Sequence, residues 1–160
     1  MNKTVKIKKY LVFFLFVIIT YVLGYIREAV FITINSVINE VPFPYNRAYI
    51  TPPPFLYKLS MNQLFILKWV LTLLFFLLFL LVAVKVIHFF FRNKKYNKIM
   101  MVFFVTFFSL SLVFYIIGFL FDNLSFFYPI SRFFAGLVQD PFPIYLFLVL
   151  FFYTNNVYKA

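Results

Sequence analysis

The chain has 160 residues, 65% of them apolar and 26% aromatic, with fifteen basic residues against four acidic ones and a formal charge of +11. At a mean hydropathy of +0.98 there is too little polar surface to coat a water-soluble globule, so the expected fold is an all-α, polytopic membrane protein. The lack of cysteine excludes a disulfide framework, a thiol nucleophile and a cysteine-ligated metal.

Hydrocarbon about 30 Å thick asks for roughly 20 apolar residues per helix. Four stretches answer this: residues 10–25, 64–91, 99–121 and 133–153, within a single membrane domain of 1–160. The first opens after Lys8 and Lys9 and closes at Arg27 and Glu28. It resembles a signal peptide but has no small residues at the usual cleavage positions around Leu23, Gly24 and Tyr25, so an uncleaved anchor is expected. From Ile26 to Glu40 the apolar residues Ile26, Val30, Phe31, Ile34, Val37 and Ile38 recur at helical spacing opposite Arg27, Asn35, Asn39 and Glu40. The pattern predicts an amphipathic outer helix continuing from the first span, resting on head groups or on its own bundle, or serving as a docking surface. Next come Pro42, Pro44 and Pro52 to Pro54, interleaved with Phe43, Tyr45, Tyr49, Phe55 and Tyr57. Proline at this density excludes helix and favours extended backbone. The aromatic residues fit either an interfacial belt or a binding site.

The second span carries Lys68 near one end and Lys85 and His88 near the other, where long basic side chains can reach the surface. A short hinge, 92–98, leads to the third span. The outer segments are then 26–63 and 122–140. The fourth span is complicated by Asp140, Pro141 and Pro143. A helix starting at Pro141 with Asp140 as its N-cap has good local chemistry, but at 1.5 Å per residue it covers only about 22 Å. Either the helix is short and Asp140 is a solvated cap, or 133–139 enters as a broken half-helix. In the second case Asp140 is buried and paired with Arg132 or Arg27, with Glu28 competing. Small residues mark expected close approaches at Gly24, Gly118 and Gly136, with Thr20 beside Gly24 and Ser111 on one face with Gly118.

With both termini cytoplasmic, the inner side holds ten basic residues, Lys3, Lys6, Lys8, Lys9, Lys85, Arg92, Lys94, Lys95, Lys98 and Lys159, and no acidic one. The outer side holds five basic residues against Glu28, Glu40, Asp122 and Asp140. This predicts a bacterial inner-membrane, N-in and C-in topology, with anionic membrane lipids as partners and no role for nucleic acid.

No catalytic constellation stands out. His88 is the single histidine and lacks ligand partners at helical spacing; Ser109 and Ser111 are explained by back-bonding or packing. No cofactor, metal or enzymatic activity is expected. The outer polar cluster proposed for partner contact is Arg27, Glu28, Trp69, Arg132, Gln139, Asp140 and Pro141. Other readings are a self-associating pore, which needs a polar stripe along a whole helix that none of the spans has, and a lipid-binding or lipid-modifying protein using the outer carboxylates.

The strings Tyr25-Ile26-Arg27-Glu28 with Phe31 and Asn35, Lys68-Trp69-Val70-Leu71-Thr72, Arg92-Asn93-Lys94-Lys95-Tyr96, Ser131-Arg132-Phe133-Phe134 and Gln139-Asp140-Pro141-Phe142-Pro143 run through most of the chain. In them the sequence resembles the exosortase F-associated proteins, small four-helix membrane proteins encoded beside exosortases in Bacteroidetes-type bacteria. The loop from Pro42 to Pro54 is longer than that family's pattern. The resemblance implies an accessory to a sorting or secretion machine, partnered by another integral membrane or periplasmic protein. Without cysteine the chain is not itself the cysteine transpeptidase.

Overall fold

In a computed structural model, residues 3–40 and 50–157 are described, with side chains over 10–40 and 50–155. Their order is α1 (Lys3–Ile38), a 3₁₀ turn η1 (Leu56–Lys58), α2 (Met61–Phe91), α3 (Lys94–Leu120), α4 (Leu124–Leu137) and α5 (Phe142–Val157). No strand occurs among the described residues. By length and composition α1, α2 and α3 are each apolar enough to cross a membrane, and α4 with α5 qualifies as one span bent by 52°. Only 6%, 33% and 17% of the most apolar windows of α1, α2 and α3 are buried by the protein itself. Lipid must therefore cover the remainder, which makes this a multi-pass membrane protein.

The chain divides into two compact units, one formed by Met1–Thr20 with Phe76–Ala160, the other by Tyr21–Phe75. In the first unit, α3 presents a seam of Met100, Phe104, Phe107, Ser111, Phe114 and Gly118, spaced alternately four and three residues apart and all buried or half-buried. A period of 3.5 keeps such a seam facing one neighbour. Opposite it α4 offers Phe127, Ser131 and Phe134. The Phe114 ring stacks on Phe134 at 5.5 Å, and Phe107 meets Phe134 at 5.8 Å. Ser131 Oγ donates to the main-chain oxygen of Ser111 at 2.8 Å, with the two hydroxyls 3.2 Å apart. At Gly118 an added Cβ would lie 2.8 Å from Phe127 Cβ, so the close approach expected from the small residues is realised here. Phe79, Ala83, Ile87, Met100, Phe104, Val138 and Ile144 form the fully buried interior of this unit. Phe76 stacks on Phe108 at 4.1 Å, and Tyr96 on Phe151 at 4.3 Å. Phe91 lies 5.3 Å from Tyr96 and 4.8 Å from Phe152.

Thr20 is buried. Its hydroxyl lies 2.9 and 3.0 Å from the carbonyl oxygens of Phe16 and Val17 and shares a hydrogen bond with the Tyr145 hydroxyl.

In the second unit, the apolar side of the C-terminal half of α1 packs on its own chain. Ile34, Leu56 and Leu64 are buried, with Val30, Val37, Ile38, Leu59, Leu67 and Leu71 against them. The amphipathic helix expected over 26–40 is thus the unbroken continuation of α1. Of the proline-rich loop, residues 41–49, including Pro42, Phe43, Pro44, Tyr45 and Tyr49, lie outside the described residues. Extended backbone was expected throughout, but beyond Pro53 the chain turns. Leu56 N–H donates to Pro53 O at 3.0 Å and begins η1, because proline loses only its donor and still accepts through its carbonyl. α2 starts at Met61, three residues before the expected start of the span. Ser60 and Gln63 form a reciprocal capping box, Ser60 N–H to Gln63 Oε1 at 2.8 Å and Gln63 N–H to Ser60 Oγ at 3.4 Å. Leu59 and Leu64 close over it in the position of a hydrophobic staple.

The largest departure from expectation is α4. The segment 122–140, expected outside the spans, is mostly helix, and the bent candidate span draws on Leu124–Leu137 and Phe142–Asn155 instead of beginning at 133. Pro129 inside the helix reads locally as a break, although the rest of the segment is spaced as an amphipathic helix. At 14 and 16 residues α4 and α5 are about 21 and 24 Å long, each short of the hydrocarbon thickness.

Helices α1, α2 and α3 are each followed closely by a residue with left-handed backbone and a charged side chain: Glu40 (φ 55), Arg92 (φ 50) and Asp122 (φ 49). After α3 the geometry is a full Schellman motif, with Asn123 N–H on Gly118 O at 2.9 Å and Asp122 N–H reaching Phe119 O at 3.4 Å. Glycine would occupy such a position with less strain, by roughly 1 kcal/mol.

Candidate functional site

The seven residues expected to form an outer cluster divide between the units. Arg27, Glu28 and Trp69 belong to the second; Arg132, Gln139, Asp140 and Pro141 belong to the first. Arg27 is half-buried on α1, with its guanidinium carbon 5.9 Å from the centre of the Phe31 ring, within cation–π range. Glu28 is exposed and Trp69 half-buried on α2. A second such contact sets Lys68 Nζ 5.9 Å from the Phe65 ring, beside Trp69 in sequence.

In the first unit Gln139, Asp140 and Pro141 form the break between α4 and α5. Gln139 is 2% exposed, whereas Asp140 is exposed. Asp140 Oδ1 accepts from Phe142 N–H at 2.7 Å, and Pro141 O accepts from Tyr145 N–H at 3.3 Å, which is the geometry of an N-cap followed by the first helical turn. Of the two alternatives for Asp140, the cap is realised. The break falls after Leu137, with the helix before it running from Leu124 instead of over 133–139. Arg132 is exposed and makes no ion pair with Asp140.

The cavity in the second unit is a feature that sequence reasoning missed. It measures about 420 Å³ and is lined by Ser36, Val37 and Glu40 from the end of α1, Tyr57 and Leu59 from η1 and its exit, and Met61 and Leu64 from the start of α2. The capping box and the buried triad Ile34, Leu56 and Leu64 hold these elements together. Ser36 Oγ is already engaged, donating to Thr33 O at 2.7 Å. The floor is therefore apolar, and the polarity of the rim comes from the Glu40 carboxylate and the Tyr57 phenol, both exposed. Such a site suits an apolar side chain carried next to a hydrogen-bond donor. The signal for it was the pair Ser60 and Gln63, which fixes where α2 starts and so which residues face the end of α1.

Among the described residues, no three of His, Cys, Asp and Glu gather to hold a metal. His88 instead meets Asn97, with Nδ1 and Nδ2 3.2 Å apart, linking α2 to α3. Compared with protein-family models, curated proteins and solved structures, the chain matches none.

Proposed function

We propose that the protein is a non-enzymatic accessory subunit of a bacterial inner-membrane sorting, secretion or other envelope complex, and that it docks an integral membrane or periplasmic partner through the end of α1, η1 and the start of α2. The observation that carries this reading is the cavity bounded by Glu40, Tyr57 and Leu64, an apolar depression with a polar rim on a segment braced by its own small core. Aromatic residues on a stiff backbone lose little entropy on burial, which favours Tyr57 and Phe55, both exposed, as contact residues. The charge asymmetry supports an orientation with this surface outside and both termini cytoplasmic. The resemblance to exosortase F-associated proteins supports the accessory role.

The test is affinity purification in mild detergent, comparing the native chain with Val37→Phe and Tyr57→Ala. The native chain should retain a stoichiometric membrane or periplasmic protein, and a photo-crosslinker at position 57 should reach it. Filling the cavity at Val37 should release that partner while the variant still elutes as one species. Retention of the same partner by both variants would refute docking at this surface.

A further inference from the structure

Among the described residues the most strongly charged surface lies in the other unit, at the turn between α2 and α3. Lys85, His88 and Arg92 are spaced three and four residues apart, on one face of α2 and its exit, and all three are exposed. Lys94, Lys95 and Lys98 occupy the first turns of α3 and are exposed as well. Two contacts fix the turn: Asn93 Oδ1 accepts from Lys95 N–H at 2.9 Å, and Asn97 Nδ2 meets His88 Nδ1. Arg92 is held in left-handed backbone with its N–H on His88 O at 2.9 Å. None of the basic groups is paired with a described carboxylate. Of the two carboxylates in this unit, Asp122 stands at the far end of α3, about 40 Å away along the axis. Asp140 caps α5 at the end opposite Phe151, the residue that stacks on Tyr96.

Directly beside these cations the surface is apolar. Phe89, Ile99, Met101 and Val102 are exposed, and the ring contacts among Phe91, Tyr96, Phe151 and Phe152 make a rigid aromatic base beneath the turn. A soluble polyanion would use the cations and leave the apolar border uncovered; an anionic amphiphile satisfies both. We infer that the α2–α3 turn is a binding site for an anionic glycerophospholipid, with Arg92, Lys94, Lys95 and Lys98 on its phosphate and the acyl chains against the apolar border. The site is independent of the docking surface and does not rest on the accessory reading.

The test uses the full chain in mild detergent micelles doped with phosphatidylglycerol or phosphatidylcholine, with retained lipid read by native mass spectrometry. The native protein should keep phosphatidylglycerol at least about tenfold better than phosphatidylcholine. The R92Q/K94Q/K95Q/K98Q variant should lose that preference, whereas K58Q/K68Q should keep it. Equal retention of the two lipids by the native chain, an equal loss in K58Q/K68Q, or displacement by inorganic phosphate with no preference between the lipids would each overturn the inference. Should the quadruple variant not elute as one helical species, K95Q/K98Q is compared with K95R/K98R. Identical retention by that pair overturns it equally.

Discussion

The Ser131 hydroxyl donates to the main-chain oxygen of Ser111 at 2.8 Å, and both residues are buried. A side chain on α4 thus binds the backbone of α3, at a level where Phe107 and Phe114 close over the bond through Phe134. In an apolar medium such a bond contributes about 1 kcal/mol, because the separated helices find other partners for the same groups. Ser131→Ala should lower stability by about that amount in a detergent unfolding titration, and Ser131→Leu by more, since the larger side chain forces the helices apart.

Gly118 gives a sharper expectation. An alanine methyl there would sit 2.8 Å from Phe127 Cβ and 3.5 Å from Leu124 Cα. Neither atom is the free end of a flexible chain, so α4 itself has to move. Gly118→Ala should cost about 1–3 kcal/mol despite alanine's better helix propensity, whereas Gly118→Ser should be no better tolerated. Thermal unfolding of the two variants beside the native chain checks both.

Asp122 should behave in the opposite way. Its left-handed backbone, at φ 49, completes the Schellman motif of α3. Asp122→Gly should stabilise the protein by up to about 1 kcal/mol, and Asp122→Val should destabilise it, since a β-branched side chain is least tolerant of positive φ. The same unfolding measurement reads the sign.

At the α4–α5 break, an exposed cap and a buried ion pair differ in their response to amide substitution. Asp140 Oδ1 accepts from Phe142 N–H at 2.7 Å, a role that asparagine fills as well. Asp140→Asn should stay within about 0.5 kcal/mol of the native stability, and Asp140→Ala should lose about 1 kcal/mol. Collapse of the asparagine variant in detergent would contradict the cap.

The parts of this fold that were legible in the sequence are those that follow from local chemistry. Apolar runs bounded by charge marked α1, α2 and α3. The helical spacing of Val30, Ile34, Val37 and Ile38 marked the C-terminal half of α1, and the order Asp140-Pro141 marked the start of α5. Ser111 and Gly118 were readable as one face, but Ser131 as their partner was not. In helices that are apolar all round, hydropathy fixes no rotation about the axis, so nothing local says which residues of two helices meet. Thr20 and Tyr145 show the same gap, 125 residues apart in the chain. The turns after α1, α2 and α3 escaped notice because their left-handed positions carry no glycine. The seven-residue polar cluster rested on an assumption about which residues converge, and its members belong to two separately packed units.

Those three turns have a consequence for how the protein sits in lipid. Each helix exit carries an ionisable group, Glu40, Arg92 or Asp122, in left-handed backbone that ends the helix. At the exits of α2 and α3, shifting the helix along its axis toward the bilayer would draw the Arg92 guanidinium or the Asp122 carboxylate into hydrocarbon, at a cost of about 3 kcal/mol. Arg92 and Asp122 thereby resist sliding of α2 and α3 into the bilayer, whereas on α1 that part falls to Arg27 and Glu28, twelve residues before Glu40.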